Sequence, residues 1–191
     1  MPREQTALDT DSLAELIASR RTIHTFLLEP PPEAAIRRAL ELARWAPNHK
    51  LTEPWRFYLI GRPTADAIVE LNTEILTKTL GAGGAASKRT RWLEIPGWLV
   101  VTCQRSDKPM RMKEDYAACC CAIQNAMLFL WNEGIGMKWA TGDVIRDPRF
   151  YDLLAIDIDQ EEVVGLFWYG YPAEVPETKR KPLEEVLRTR P

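Results

Sequence analysis

Apolar and polar positions along the chain switch between helical and strand periods. Leu13, Leu16 and Ile17 fall at i, i+3 and i+4 behind the capping-box order Ser12-Leu13-Ala14-Glu15, which predicts a first helix from Ser12 to about Arg20-Arg21. Pro30-Pro31-Pro32 blocks that helix and launches a second, since proline is tolerated in a first helical turn. Ile36, Leu40 and Ala43 share one face of the second helix, and Pro47 ends it. Trp55 to Ile60 is aromatic and β-favouring and predicts a strand. Thr64 to Leu80 predicts a helix, and the glycine-rich run Gly81 to Ser87 predicts a flexible loop. Further strands are expected at Trp98 to Thr102, Met137 to Thr141 and Val163 to Tyr169, with a small helix around Phe150 to Leu154. Asp115 to Glu133 reads as a helix that is apolar nearly all round, ended by Gly134. The tail from Pro172 to Pro191 is basic and proline-punctuated, without a core-forming face.

Composition narrows this picture. A chain of 191 residues with 46% hydrophobic and 27% charged residues can bury a sizeable core and suits one globular domain, residues 1–191. A formal net charge of −2 leaves no footprint for nucleic acid or an anionic membrane. The most apolar stretch, Tyr116 to Trp131, falls short of the ~20 residues that span a bilayer and contains Gln124 and Asn125. Met1 to Asp11 is polar and acidic, without the apolar stretch of a secretory signal, so the expected location is cytoplasmic. Cys119, Cys120 and Cys121 are consecutive and cannot bond to one another in normal disulfide geometry, and two histidines give no zinc spacing, so no metal site is expected. The three read as small core side chains. No Gly-rich nucleotide fingerprint follows a strand. Pattern and composition thus yield an α/β-type domain and no reaction.

Four segments in order carry a resemblance. Arg20-Arg21-Thr22-Ile23-His24-Thr25-Phe26 resembles the opening motif of the nitroreductase family, commonly Arg-Arg-Ser-x-Arg-x-Phe. Ala46-Pro47-Asn48-His49-Lys50, followed by Glu53-Pro54-Trp55-Arg56-Phe57, resembles its second motif, in the Ala-Pro-x-His-Lys form of one branch of small bacterial members. Ala117 to Gly136 is similar to the central helix with its Gln-Asn pair, and Lys179 to Val186 to the closing basic motif. The resemblance implies an α+β fold, a mixed central sheet flanked by helices, built as an intertwined homodimer with FMN sites at the interface.

It also implies roles. Arg20 and Thr22, with Arg21 beside them, would hold the FMN phosphate, and Lys179 and Lys181 would close on it. His24 stands where the family has arginine or lysine beside the flavin pyrimidine edge, and a histidine supplies that cation only when protonated. Trp45 and His49 match positions that reach the flavin from the partner chain, and the resemblance gives Asn48 and Lys50 beside His49 a cofactor-binding role as well, whereas Leu51 and Glu53 depart from the common residues. Trp139, Ala140 and Thr141 match the strand end that lies along the flavin ring. Plain alternatives stand beside these: helix-end cations for Arg20 and Arg21, a polar loop for residues 48–50, an ordinary strand for 139–141, and a solvated tail for Lys179 and Lys181.

The implied activity is FMN-dependent transfer of hydride from NADH or NADPH to a small electron-poor acceptor, a nitroaromatic or quinone. Donor and acceptor would alternate in one slot, in a ping-pong order, with no catalytic side chain because the flavin carries the chemistry. Another reductive reaction on the same fold (dehalogenation or flavin destruction) and a flavin-binding dimer without turnover are the alternatives.

Overall fold

The computed structural model describes residues 9–190. The part of the polar start before Asp9 lies outside them, as does Pro191.

Helix α1 spans Thr10–Ser19. Its cap is Asp9 and not Ser12: the Asp9 carboxylate accepts from the Ser12 backbone N–H at 3.1 Å and from the Ser12 hydroxyl at 2.6 Å. A carboxylate there also suits the positive end of the helix. Helix α2, Glu33–Ala43, follows the three prolines and buries Ile36, Ala39 and Ala43.

Four strands form the sheet: β1 Trp55–Ile60, β2 Gly97–Gln104, β3 Gly136–Ala140 and β4 Glu161–Gly170. Their order is β1-β2-β4-β3, and every pair of named strands is antiparallel. The sheet is mixed only at its fringe, where Thr22 makes a parallel bridge to Met137 beyond the edge strand β3. Strand alternation divides the core. Leu99, Val101, Val164 and Phe167 face α2 and α4, the latter spanning Pro109–Asn132. Trp98, Val100, Leu166 and Trp168 face α3, Arg62–Leu93, and α5, Pro148–Leu153.

Two elements differ from the sequence expectation. The Gly81–Ser87 run is not a loop. Gly81 alone leaves helical geometry, at φ 70°, and helix resumes after it, so α3 is two helices meeting at one glycine. The second half folds back on the first: Arg62 donates to the Leu93 carbonyl at 2.8 Å, Arg89 to the Glu70 carboxylate at 2.8 Å, and Trp92 packs edge-to-face on Trp98 and Trp168. These tertiary anchors outweigh the weak helix propensity of the glycines. Helix α4 begins six residues before the expected Asp115 and is not buried all round: Ala118, Cys119, Ala122, Ile123 and Ala126 face the core, while Ala117, Cys121 and Gln124 are exposed. Of the three consecutive cysteines only Cys119 is buried; Cys120 is half-buried and Cys121 is at the surface. Helix α6, Leu183–Val186, buries none of its residues. No helix among the described residues is long and apolar enough to cross a membrane.

Candidate functional site

The chain leaves α1 in extended form and runs along the free edge of β3. The Ile23 N–H donates to the Met137 carbonyl at 3.1 Å, and farther on Leu27 donates to Tyr171 and Ala173 to Thr25, at 2.9 and 3.0 Å. Ile23 is fully buried in the seat left by Gly136, where a Cβ would lie 2.3 Å from the isoleucine side chain. With Ile23 pointing in, the period of two places Thr22 and His24 together on the outer side. One glycine on β3 therefore fixes where the first motif presents its polar groups.

Two cavities meet at His24. The first, about 240 Å³, is lined by Arg20, Arg21, Thr22 and His24 and by Glu177, Thr178 and Arg180 of the tail. Arg21 is engaged in closing α1, donating to the Ala18 and Arg20 carbonyls at 2.6 and 2.9 Å. Arg180 leans on the Thr178 hydroxyl at 2.9 Å. Among the described residues neither Arg20 nor Arg180 forms an ion pair, although Glu177 lines the same cavity. Burial, then the neighbouring charges of Arg180 and Arg21, push the Arg20 guanidinium below its ordinary value. Three arginines against one glutamate, with neither Arg20 nor Arg180 ion-paired, make a receptive site for an anion.

The second cavity, about 340 Å³, lies between the end of β3 and the returning half of α3. His24, Trp139, Ala140 and Thr141 line it, as do Lys138, Lys88, Arg91, Trp92 and Trp168. The Trp139 indole donates to the Val164 carbonyl at 3.1 Å and packs on Phe167, which holds this strand end in place. The Thr141 carbonyl accepts from Arg146 at 3.0 Å. Burial, then Lys138, push the His24 imidazole below its ordinary value of 6.5, which disfavours its charged form. The cation in this place is Lys138, whose ammonium sits 4.6 Å from the centre of the Trp168 ring.

Other expected residues stand apart in the single chain. Trp45 is 77% exposed, and Asn48, His49 and Lys50 line neither cavity. Asn48 instead ties its own loop, donating to Ala46 at 3.2 Å and accepting from the Glu53 N–H at 3.0 Å. That loop holds Lys50, Leu51 and Glu53 at φ 58°, 52° and 43°, left-handed geometry that non-glycine residues adopt at a cost. Lys179 lines a shallow hollow with Arg21, and Lys181 pairs with Glu185 at 3.8 Å on the surface.

Four groups were missed. Arg180 lies between the two lysines of the tail motif and is the one that reaches the first cavity. Lys138 was legible from strand alternation, since it shares a face with Ala140 and not with Trp139. Lys88 and Arg91 were hidden because the glycine run masked the helix that carries them.

Comparison with known proteins agrees with this frame. The sequence profile described as the nitroreductase family matches residues 17–171. The chain belongs to the nitroreductase family. YfhC of Bacillus subtilis, provisionally named an NAD(P)H nitroreductase, is 32% identical over 185 residues, 95% of each chain. A nitroreductase-like protein of Bacillus cereus is 31% identical in its crystal structure, covers 96% of this chain and 99% of its own, and superposes with a TM-score of 0.83. A nitroreductase-type protein of Desulfovibrio desulfuricans, crystallised in complex with FMN, shares the fold at 22% identity and a TM-score of 0.75, over 97% of this chain and 99% of its own.

Proposed function

We propose that residues 1–191 form one FMN-dependent oxidoreductase unit that passes hydride from NADH or NADPH to a small electron-poor acceptor, a nitroaromatic or a quinone. The observation that carries this reading is the junction at His24, where an acid-poor arginine cavity opens beside a strand-end slot walled by tryptophan. Those two halves fit the two ends of FMN. A phosphate dianion relieves the crowding of Arg20 against Arg180, and Thr22 adds a neutral donor. The strand end at Trp139, Ala140 and Thr141 offers backbone groups to a flat ring, and Lys138 supplies positive charge where burial disfavours the charged form of His24. When bound, FMN supplies the two-electron chemistry, and no side chain is needed as nucleophile or obligatory acid. Trp92 and Trp168 give the slot aromatic walls.

Trp45, Asn48, His49 and Lys50 complete the site from a second copy of the chain. The support is their distance from both cavities within one chain, together with the exposed Trp45 and Leu51, 77% and 80% accessible. The exposed face of α4 and the uncovered α6 give such a homodimer surface to bury. Arg21, Lys179 and Lys181 stand one rank outside the phosphate position and add to its field. Donor and acceptor take turns in the one slot, so the kinetics are ping-pong. The four cysteines are free thiols, which suits work in a reducing cytoplasm.

The test is anaerobic titration of the FMN-loaded protein with NADH and NADPH. Loss of the oxidised-flavin absorbance, restored by a nitroaromatic, is expected. A flavin that stays oxidised under both donors would leave only a passive flavin carrier.

A further inference from the structure

Four non-glycine residues among the described ones have a positive φ, and three of them, Lys50, Leu51 and Glu53, crowd into one loop. Such geometry persists only where the surroundings over-determine it. Most of the ties are short-range. Asn48 bonds to Ala46 and Glu53, and the Arg56 guanidinium donates to the Glu53 carbonyl at 3.2 Å. Among the described residues one side-chain bond from positions 48–53 leaves the neighbourhood: the Thr52 hydroxyl donates to Asp115 Oδ1 at 2.5 Å, across 63 positions. Thr52 keeps ordinary helical angles, φ −68° and ψ −25°, so the pinned residue is the unstrained one between two strained neighbours.

The acceptor is unusual for its place. Asp115 is 4% exposed, and an acid is seldom so buried unless it is paired. Its second oxygen, Oδ2, lies 3.5 Å from Arg111 Nε. Ala118 and Cys119, three and four positions on, are buried on the same face of α4, and an apolar side chain at 115 would continue that face. Packing alone does not call for a carboxylate there. The loop does. What the loop carries is His49, exposed and lining neither cavity.

We infer that Asp115 is a positioning residue: through Thr52 it fixes the strained loop so that His49 is presented, already ordered, to the flavin of a second copy. This role rests on the two-copy reading of the site and adds to it the group that pre-organises the partner's contribution. A side chain delivered from another chain binds more weakly if its loop must first be ordered, because that ordering is subtracted from the affinity. The carboxylate acts by way of Thr52 and has no contact of its own with the flavin.

The test reads flavin binding without turnover in the full-length protein, by flavin fluorescence on release. Thr52→Val removes the hydroxyl and keeps the branched shape. It should weaken FMN and riboflavin alike, by about three- to tenfold, since the phosphate end is held elsewhere. Thr52→Ser retains the donor and should restore most of the affinity. A weakened fold could mimic the loss, so the deciding readout is a double-mutant cycle with His49→Ala. With His49 gone, Thr52→Val should cost less than about twofold more, because the loop then has nothing to present. Asp115→Leu removes the acceptor and leaves an apolar side chain on the core face. It should give the same loss and the same non-additivity, which keeps the test open where Thr52→Val folds poorly. Losses that multiply in the double variants would overturn the inference and leave a purely structural tie. An unchanged affinity in Thr52→Val, or in His49→Ala, would overturn it too. The NADH and NADPH titration of unsubstituted protein separates the two claims. Bleaching with multiplying losses keeps the oxidoreductase reading and removes this one; a non-additive cycle without bleaching does the reverse.

Discussion

Lys88 and Arg89 are neighbours on one helix and stand in opposite electrostatic settings. Arg89 points away from the sheet to Glu70, which holds its guanidinium above the ordinary value. Lys88 turns to the slot, where its charge helps push Lys138 below the ordinary value. The same contrast holds on a larger scale. On the outer surface Arg149 reaches Glu74 and Asp147, each at 2.8 Å, and the local charge is balanced. Around His24, Arg20 and Arg180 on one side and Lys88, Arg91 and Lys138 on the other have no acid paired with them. Paired cations on the outer surface serve the fold at small energies, as exposed pairs do. The unpaired ones around His24 are the ones proposed above to hold an anion.

The sharpest way to break that contrast is to remove an unpaired cation. Arg20→Ala should weaken FMN by about one to two decades, since a charged hydrogen bond contributes about 1.5–3 kcal/mol, and should leave riboflavin nearly untouched. Flavin fluorescence on release measures both. Equal losses would return Arg20 to the role of a helix-end cation. Arg180→Ala should act in the same sense but more weakly, its guanidinium being exposed and partly held by Thr178. Lys138→Met should lower the two-electron midpoint potential of bound flavin by about 20–30 mV, because a cation beside the ring favours the reduced state and about 1 kcal/mol corresponds to that shift. An unchanged potential would take Lys138 away from the flavin ring.

How much of this could be read from the chain depended on how local the cause was. Strand β1 appears at its expected bounds, Trp55–Ile60, because its aromatic and β-branched run is bounded by Pro54 and Gly61. The first motif was legible as residues, and the Ile23 seat on Gly136 explains why Thr22 and His24 emerge side by side. The returning half of α3 was not legible. Its order comes from Trp92 against Trp168 of the sheet and from Arg62 and Arg89 reaching Leu93 and Glu70, 31 and 19 positions away, contacts that no local window registers. Losing that helix meant losing Lys88 and Arg91, so one cationic wall of the second cavity disappeared from view. The tail motif was legible as a basic run, but the cation of it that lines the first cavity is Arg180 and neither lysine.

The paired cations should respond in the opposite way. Asp147 is held at about 2 by its hydrogen bonds with Arg149, against an ordinary value of 3.8. A depressed carboxylate contributes stability that is complete above about pH 4 and is lost as pH falls through about 2. Arg149→Gln should therefore cost a little stability at pH 7, and the cost should fade as pH drops through about 2, as urea melts would show, without altering flavin affinity. A loss of FMN in that variant would blur the division between the two sets. Arg89→Gln should be smaller still, as expected of an exposed pair.

The central claim is that the acid-poor cluster at Arg20 and Arg180 anchors FMN by its phosphate. Calorimetric titration of flavin-free, unsubstituted protein with FMN and with riboflavin tests it most directly. The account predicts a ten- to hundredfold preference for FMN, about 1.4–2.7 kcal/mol, that shrinks as salt rises. Equal affinity for the two flavins at low salt would contradict it.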